Sequence, residues 1–405
     1  MKKHILFLIL GLTAMASFEG CRKESDYITD PQNYNANRYT TFTEQFEAIW
    51  NGINSSYVFW KVDTVDWDAR YARMKPKFEA LDKQPSVTYR ELLTIYRELC
   101  EGLIDHHMRL MVWNLNKASD ADPDNIVFKP CQKEIGERSY YHTSTTFDQY
   151  YSALTQLSAH GHSISNLERV THNNFDIICG IIDGKYAYLH MNKYYISGLK
   201  TATDDNSRNQ FQLIQKYMSW CQDPSIKGII LDNRGNSGGY VHDLRYIIAP
   251  LVSHDKVIAH SYTKDGLGRL EYSVPIPCTI HATGNGRDDI PKVVLTDLWS
   301  ISMGEMTTYC IKDMPKGIQI GERTYGATGP LNDDFYMNHC GIFGDKNNGP
   351  HYVYTSCHMM EFEHGGVLEG IGMTPDIEVL NDGDQIIAGN DVILNRALDY
   401  LNSNK

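Results

Sequence analysis

The chain has 405 residues, with 38 Lys and Arg against 50 Asp and Glu, a formal net charge of −12 at pH 7 and 42% hydrophobic content. That length exceeds one hydrophobic core and predicts two or three structural units. The acidic balance excludes nucleic acid as a partner, because such binding rests on neutralising phosphates, and suits an exported, soluble body.

At the N-terminus, Lys2, Lys3 and His4 precede an apolar run from Ile5 to Ala16. The run is too short to span a bilayer stably, so residues 1–20 read as a signal peptide. Cys21 follows Phe18-Glu19-Gly20, where a bacterial lipobox would sit. A small residue before the Cys is what lipoprotein processing needs, although Phe18 and Glu19 depart from the usual pattern. An ordinary signal peptide with an incidental Cys is the alternative. The polar stretch from Arg22 to Asn37 favours lipidation, because it makes residues 21–40 a tether. No later run is apolar enough to cross a membrane, so the expectation is a body anchored through Cys21 in the bacterial cell envelope. Removing residues 1–20 takes out two Lys and one Glu and leaves a net charge of about −13. The eight other Cys form no CxxC pair and read mostly as buried small apolar residues.

Residues 41–60 predict a helix: Thr41-Phe42-Thr43-Glu44 fits a capping box, and Phe42, Phe46, Ile49, Trp50, Ile53 and Tyr57 keep helical spacing. A second capping box, Thr88 to Glu91, opens Leu92, Leu93, Tyr96 and Leu99. Residues 41–112 are thus expected to form a small helical domain. Residues 113–183 form an intervening mixed segment with an amphipathic piece around Phe147 to Leu157. From residue 184 to 405 the pattern changes to short apolar runs separated by Gly-rich turns: Tyr186 to Met191, Gly228 to Leu231, Val257 to His260, Val293 to Thr296 and Gly317 to Ile320. This predicts an α/β domain, closed by a helix from Asp391 to Asn402.

Two stretches could carry chemistry. In Leu231-Asp232-Asn233-Arg234-Gly235-Asn236-Ser237-Gly238-Gly239, a buried strand runs into a loop with three glycines. Such a loop lets backbone N–H groups approach a ligand, to cradle phosphate or to form an oxyanion hole. The spacing is neither GxxxxGK[ST] nor GxGxxG, so phosphate is disfavoured. By itself the loop reads as a structural turn, with Asp232 and Arg234 as structural partners. In Ser300-Ile301-Ser302-Met303-Gly304-Glu305, a Ser stands between a strand and a helix. The helix dipole there stabilises a developing anion, the logic of a nucleophile elbow without its GxSxG sequence. By itself Ser302 reads as a helix N-cap.

Together these stretches, with Gly321-Glu322-Arg323-Thr324-Tyr325-Gly326, Glu369-Gly370-Ile371-Gly372-Met373-Thr374-Pro375-Asp376 and Leu103-Ile104-Asp105-His106-His107, resemble the C-terminal processing (tail-specific) serine peptidases and their tricorn-core relatives. The resemblance covers most of residues 41–380. It implies a crotonase/ClpP-like spiral α/β core behind the helical N-terminal domain. It also implies Ser302 as nucleophile, with an oxyanion hole from Gly238, Gly239 and the Met303 N–H. One branch of the family uses a Lys in a Gly-Lys-Gly step; here that step is Gly326-Ala327-Thr328, so a Ser/Lys dyad is excluded unless another Lys folds in. The tricorn-like branch uses a His and a Glu, matched by His107 and Glu369, and a Ser before the His, where this chain has His106. The segment between His107 and Lys185 shows no carboxylate-binding loop of a PDZ module, which predicts a member without tight selectivity for a free C-terminus. The resemblance further implies a peptide or unfolded-protein substrate and no cofactor.

A neutral Ser hydroxyl needs a base, imidazole can accept and return the proton, and a carboxylate near the base orients it. His106-His107 as a metal pair is disfavoured, because adjacent residues point apart and no HExxH supports them. The competing reading is a non-catalytic peptide- or small-ligand-binding protein on the same fold. An α/β hydrolase acting on esters or glycans is disfavoured by the absence of GxSxG in the right place.

Overall fold

The computed structural model describes residues 39–115, 125–128, 146–331, 341–344 and 350–403. The expected signal peptide, Cys21 and all but the last two residues of the expected tether lie outside these. In chain order the main elements are helices α1 (Phe42–Ser56), α2 (Trp67–Leu81) and α3 (Tyr89–Cys100), strands β1 (Arg109–Trp113) and β2 (Asn125–Phe128), and helix α4 (Phe147–Thr155). Strands β3 (Ile164–His172), β4 (Phe175–Ile182) and β5 (Tyr186–Met191), helix α5 (Asp205–Gln222), and strands β6 (Gly228–Asp232), β7 (Lys256–Thr263), β8 (Ile276–Ile280) and β9 (Lys292–Thr296) follow. Helix α6 (Met303–Lys312) leads to β10 (Gly317–Gly321), β11 (Ile342–Gly344), β12 (His351–Tyr354), β13 (His358–Phe362), β14 (Gly366–Val367), β15 (Ile377–Glu378) and the closing helix α7 (Val392–Ser403).

The capping boxes start α1 and α3 as expected. Thr41 Oγ1 accepts the Glu44 N–H at 3.1 Å while the Glu44 carboxylate accepts the Thr41 N–H at 3.1 Å, and Thr88 and Glu91 repeat the exchange. Phe42, Phe46, Ile49 and Ile53 are buried along one stripe of α1, the half of the helix that must face a partner. That partner is not helical alone. A four-stranded sheet in the order β11-β12-β1-β2 lies under α1 to α3, and Leu110, Val112, Phe343 and Val353 join the same apolar cluster. The expected helical domain 41–112 therefore needs correction: its boundary cuts β1, and strands from residues 342–354 complete its sheet.

The central sheet has seven strands in the order β15-β10-β9-β6-β5-β4-β3, parallel from β15 to β5 and antiparallel from β5 to β3. Every residue of β5, β6 and β9 is buried, as expected of strands covered on both faces. Alternation sorts them: Leu189, Ile229, Leu231 and Val294 face the cluster that holds α5 and α6. Tyr188, Ile230, Val293 and Leu295 face α4 and α7. The sheet begins at β3, so the expected start of the α/β domain at residue 184 is too late, and the described strands of the intervening segment 113–183 belong to two sheets. A third sheet, β14-β13-β7-β8, flanks the core. Cys100, Cys179, Cys221, Cys310 and Cys357 are buried thiols, as expected, and Cys278 is partly exposed.

β6 and β9 are adjacent and parallel, with Leu231 opposite Val294 and Asp232 opposite Leu295. The Gly-rich loop and the Ser302 turn therefore leave the sheet side by side at its C-terminal edge, where parallel α/β sheets form their ligand crevices.

Candidate active site

Both loops are stitched together before any chemistry is considered. Asn233 Nδ2 donates to the Gly304 carbonyl at 2.9 Å and Tyr194 Oη donates to Asn233 Oδ1 at 2.8 Å. Ser300 Oγ donates to the Asn233 carbonyl at 2.8 Å, and the Ile301 N–H donates to the Asn236 carbonyl at 2.9 Å. Buried Asp297 accepts the Gly235 and Trp299 N–H groups at 3.0 Å each.

This scaffold holds Ser302 at φ 57°, ψ −113°. The other non-glycine residues with positive φ are Asn, Asp or Lys, and Asn and Asp tolerate that region better than Ser does. Such a conformation costs of order 1–3 kcal/mol and persists only where the surroundings enforce it. Ser302 stands at the N-cap of α6, and its N–H donates to Glu305 Oε2 at 3.0 Å, one half of a capping box. Glu305 also accepts Thr324 Oγ1 at 2.6 Å and the Gly326 and Ala327 N–H groups at 2.7 Å each. Burial pushes its carboxyl pKa up while these donors pull it down. Ser302 thus keeps the N-cap position that its sequence allowed, and its positive φ makes that cap an elbow at the cavity lining.

The glycines behind Ser302 are required by space. A Cβ on Gly238 (φ 92°) would come within 2.6 Å of Ser302 Cβ, and one on Gly239 (φ 149°) within 1.8 Å of the Tyr194 carbonyl oxygen. The expectation that the Gly238 N–H serves the oxyanion hole needs correction, because it donates to Asn236 Oδ1 at 2.9 Å. The Gly239 and Met303 N–H groups have no acceptor among the described residues.

His107 and Glu369, 262 residues apart in sequence, come together behind the cavity. Ring nitrogen and carboxylate oxygens of His107, Asp105 and Glu369 lie within 4.8 Å of one another, and His107 Nδ1 is buried without a partner. Glu369 accepts the His106 N–H at 2.8 Å, the Thr328 and Gly329 N–H groups at 2.6 and 2.7 Å, and Thr328 Oγ1 at 3.1 Å. Asp105 accepts Ser356 N–H and Oγ and the His107 N–H at 2.7 to 3.0 Å. A cation among these three residues would meet the positive ends of all those donors, so the trio does not fit a metal. Burial, then the neighbouring Asp105 charge, raises Glu369 well above the usual carboxyl range; burial likewise raises Asp105 to about 6. Burial, then the charges of Arg109 and His106, lowers His107 to about 4, so its imidazole is neutral at pH 7.

His106 does not supply what the tricorn-like Ser would. Its Nδ1 is 2.8 Å from the Tyr325 carbonyl oxygen, and Thr328 brings a hydroxyl to Glu369 instead. Ala327 is buried, and among the described residues no lysine lines the cavity. Asp232 and Arg234 are structural, as expected: buried Arg234 holds Asp232 and, from the start of α7, Asp391 through paired bonds of 2.6–2.9 Å. Ser302, His106, His107, Gly239 and Tyr240 share a cavity of about 510 Å³, though no hydrogen bond joins Ser302 to His107. Sequence reasoning missed Thr328, Gly329 and Ser356; the first two directly follow the Gly326-Ala327 step, while Ser356 carries no local signal.

Residues 185–379 match the model of peptidase family S41. A stretch of 220 residues is 24% identical to the Tricorn protease of Thermoplasma volcanium, covering 54% of this chain and 18% of that relative. The chain thus spans less than a fifth of the curated relative's length. A crystal structure of a candidate peptidase from Parabacteroides merdae superposes with a TM-score of 0.61 at 20% identity, over 89% of this chain and 96% of the other, a likeness of fold. The matched residues 185–379 run from β5 to β15, so the likeness to peptidase family S41 lies in the α/β core that carries the paired loops. The S41 match, which spans just under half of the chain, and the likeness to the Tricorn protease agree with the C-terminal processing peptidases that the motifs resemble.

Proposed function

We propose that this protein is an exported serine endopeptidase that hydrolyses peptides or unfolded proteins through an acyl-enzyme on Ser302. The observation that carries this reading is the strained Ser302 at a helix N-terminus, facing a cavity that His107 also lines. Ser302 Oγ attacks the scissile carbonyl carbon as its proton passes to His107, for which Nε2 is the remaining nitrogen because Nδ1 is the buried one. The carbonyl oxygen becomes an oxyanion held by the Gly239 and Met303 N–H groups and by the positive end of α6. His107 then protonates the departing amine, leaving an ester on Ser302, which water cleaves with His107 again as base. Glu369 orients the His106–His107 backbone and lies, with Asp105, within 4.8 Å of a His107 ring nitrogen. The half-exposed stack of Tyr195, Tyr240 and His242, with ring centroids 5.3–5.5 Å apart, offers a platform for substrate side chains beside the cavity.

A non-catalytic ligand-binding protein is the second reading, favoured by the missing Ser302–His107 hydrogen bond. Mass spectrometry of residues 22–405 after exposure to a fluorophosphonate separates the two. Labelling confined to Ser302 and lost in Ser302→Ala and His107→Ala supports the peptidase; a cooperatively folded sample without label supports the binding protein. The anchor at Cys21, and with it residence in the bacterial cell envelope, is part of the proposal. Cys21→Ala should release the protein from membranes, and unchanged partitioning would refute lipidation.

A further inference from the structure

The cavity over Ser302 carries one arginine in its lining, in a chain whose net charge is −12. Arg109, His106, His107 and His242 line it, and among the described residues no Asp or Glu does. Arg109 opens β1, stands exposed at the cavity wall, and has no ion pair or side-chain hydrogen bond among the described residues. Other arginines of this chain are engaged: Arg234 holds Asp232 and Asp391, Arg269 holds Asp68, and Arg287 holds Asp289. The buried carboxylates Asp105, Glu305 and Glu369 around the cavity are already taken by the donors described above.

We infer that Arg109 determines specificity by taking a carboxylate of the bound peptide, so that the enzyme favours substrates with an acidic group close to the scissile bond. This rests on the proposed peptidase reading. A guanidinium presents a planar fork that matches a carboxylate through two parallel N–H···O bonds, and Arg109 has no carboxylate partner among the described residues for a ligand to displace. Two effects then add. The pair contributes to binding, and it offsets the positive charge that, with burial and His106, weakens His107 as a base, while Asp105 and Glu369 remain where they are on its far side. An acidic substrate therefore binds better and meets a stronger base, which distinguishes this role from that of a structural arginine.

The test uses N-acetylated tripeptidyl diphenyl phosphonates that differ at one position, Glu, Gln or Lys, and reads the rate of Ser302 phosphonylation by mass spectrometry. The wild-type protein should react about tenfold faster with the Glu probe than with the Lys probe, a difference of about 1.4 kcal/mol. The ratio should fall towards one in Arg109→Gln and invert in Arg109→Glu. Because each protein serves as its own reference, a general loss of activity cannot imitate that pattern. Competition against the Gln probe by one tetrapeptide as free acid and as amide separates a terminal carboxylate from a side-chain one. A Glu-to-Lys ratio near one in the wild type, or unchanged in Arg109→Gln, overturns the inference while leaving the peptidase reading intact. No reaction of Ser302 with any probe in a folded sample sinks both.

Discussion

Ser302 is in a backbone conformation that a side chain makes costly, and its surroundings enforce it through bonds that none of its own atoms could supply alone. The N–H is held by Glu305, and Gly238 leaves just enough room for the Ser302 Cβ. Ser302→Ala and Ser302→Gly both lose the nucleophile, but only Gly relieves the positive φ. The Gly variant should therefore be the more stable of the two, by about 1 kcal/mol in chemical denaturation. Equal stabilities, or an advantage for Ala, would show that the elbow stores no strain. The motif order singled out Ser302, yet nothing local distinguishes this Ser from an N-cap. The difference lies in φ, which the neighbouring loop imposes.

At the scale of elements, α6 is tied to the segment after β10 by one buried carboxylate. Glu305 collects Ser302 N–H, Thr324 Oγ1, Gly326 N–H and Ala327 N–H, so it fixes the elbow relative to the stretch that leads to Thr328 and Gly329, the donors to Glu369. Glu305→Ala should leave those donors unsatisfied in a dry interior. A destabilisation of roughly 3 kcal/mol or more is expected, with loss of fluorophosphonate labelling at Ser302. A normal denaturation midpoint together with normal labelling would refute this coupling. Helices opened by capping boxes and strands with every residue buried were legible, because their signals lie within a few residues. The sheet under α1 to α3 was not, since β11 and β12 come from far along the chain and β1 and β12 pair through backbone groups that any side chain allows.

Over the whole molecule, acidic groups are buried at the junction of the two site loops, and stability should record it. Burial pushes the Asp297 carboxyl to about 7, from an ordinary value near 3.9. Between those values the native state keeps a proton that the unfolded chain has released. Stability should therefore fall as pH rises from about 4 to about 7, by at most ~1.4 kcal/mol per pH unit from this group. Asp297→Asn keeps an oxygen for the Gly235 and Trp299 N–H groups and cannot ionise, so it should flatten that slope in denaturation series at pH 4 to 7. A slope unchanged by the substitution would assign the pH dependence elsewhere.

The amino-acid sequence by itself determined the local elements, the mixed α/β class, and the family motifs that mark Ser302, His107 and Glu369, because capping, periodicity and motif order are properties of short stretches. Only the tertiary structure decided which groups meet. The parallel pairing of β6 with β9 sets the glycine loop against the elbow. The packing of the Leu103–His107 turn on the Thr328–Gly329 and Glu369 segments brings His107 and Glu369 behind the cavity and leaves Arg109 at its wall. It also settled that the Gly238 N–H is spent on Asn236 and that His106 turns to Tyr325. The physical reason is that hydrogen bonds and charges act over a few ångströms in space, and the residues they join here are tens to hundreds of positions apart in the chain.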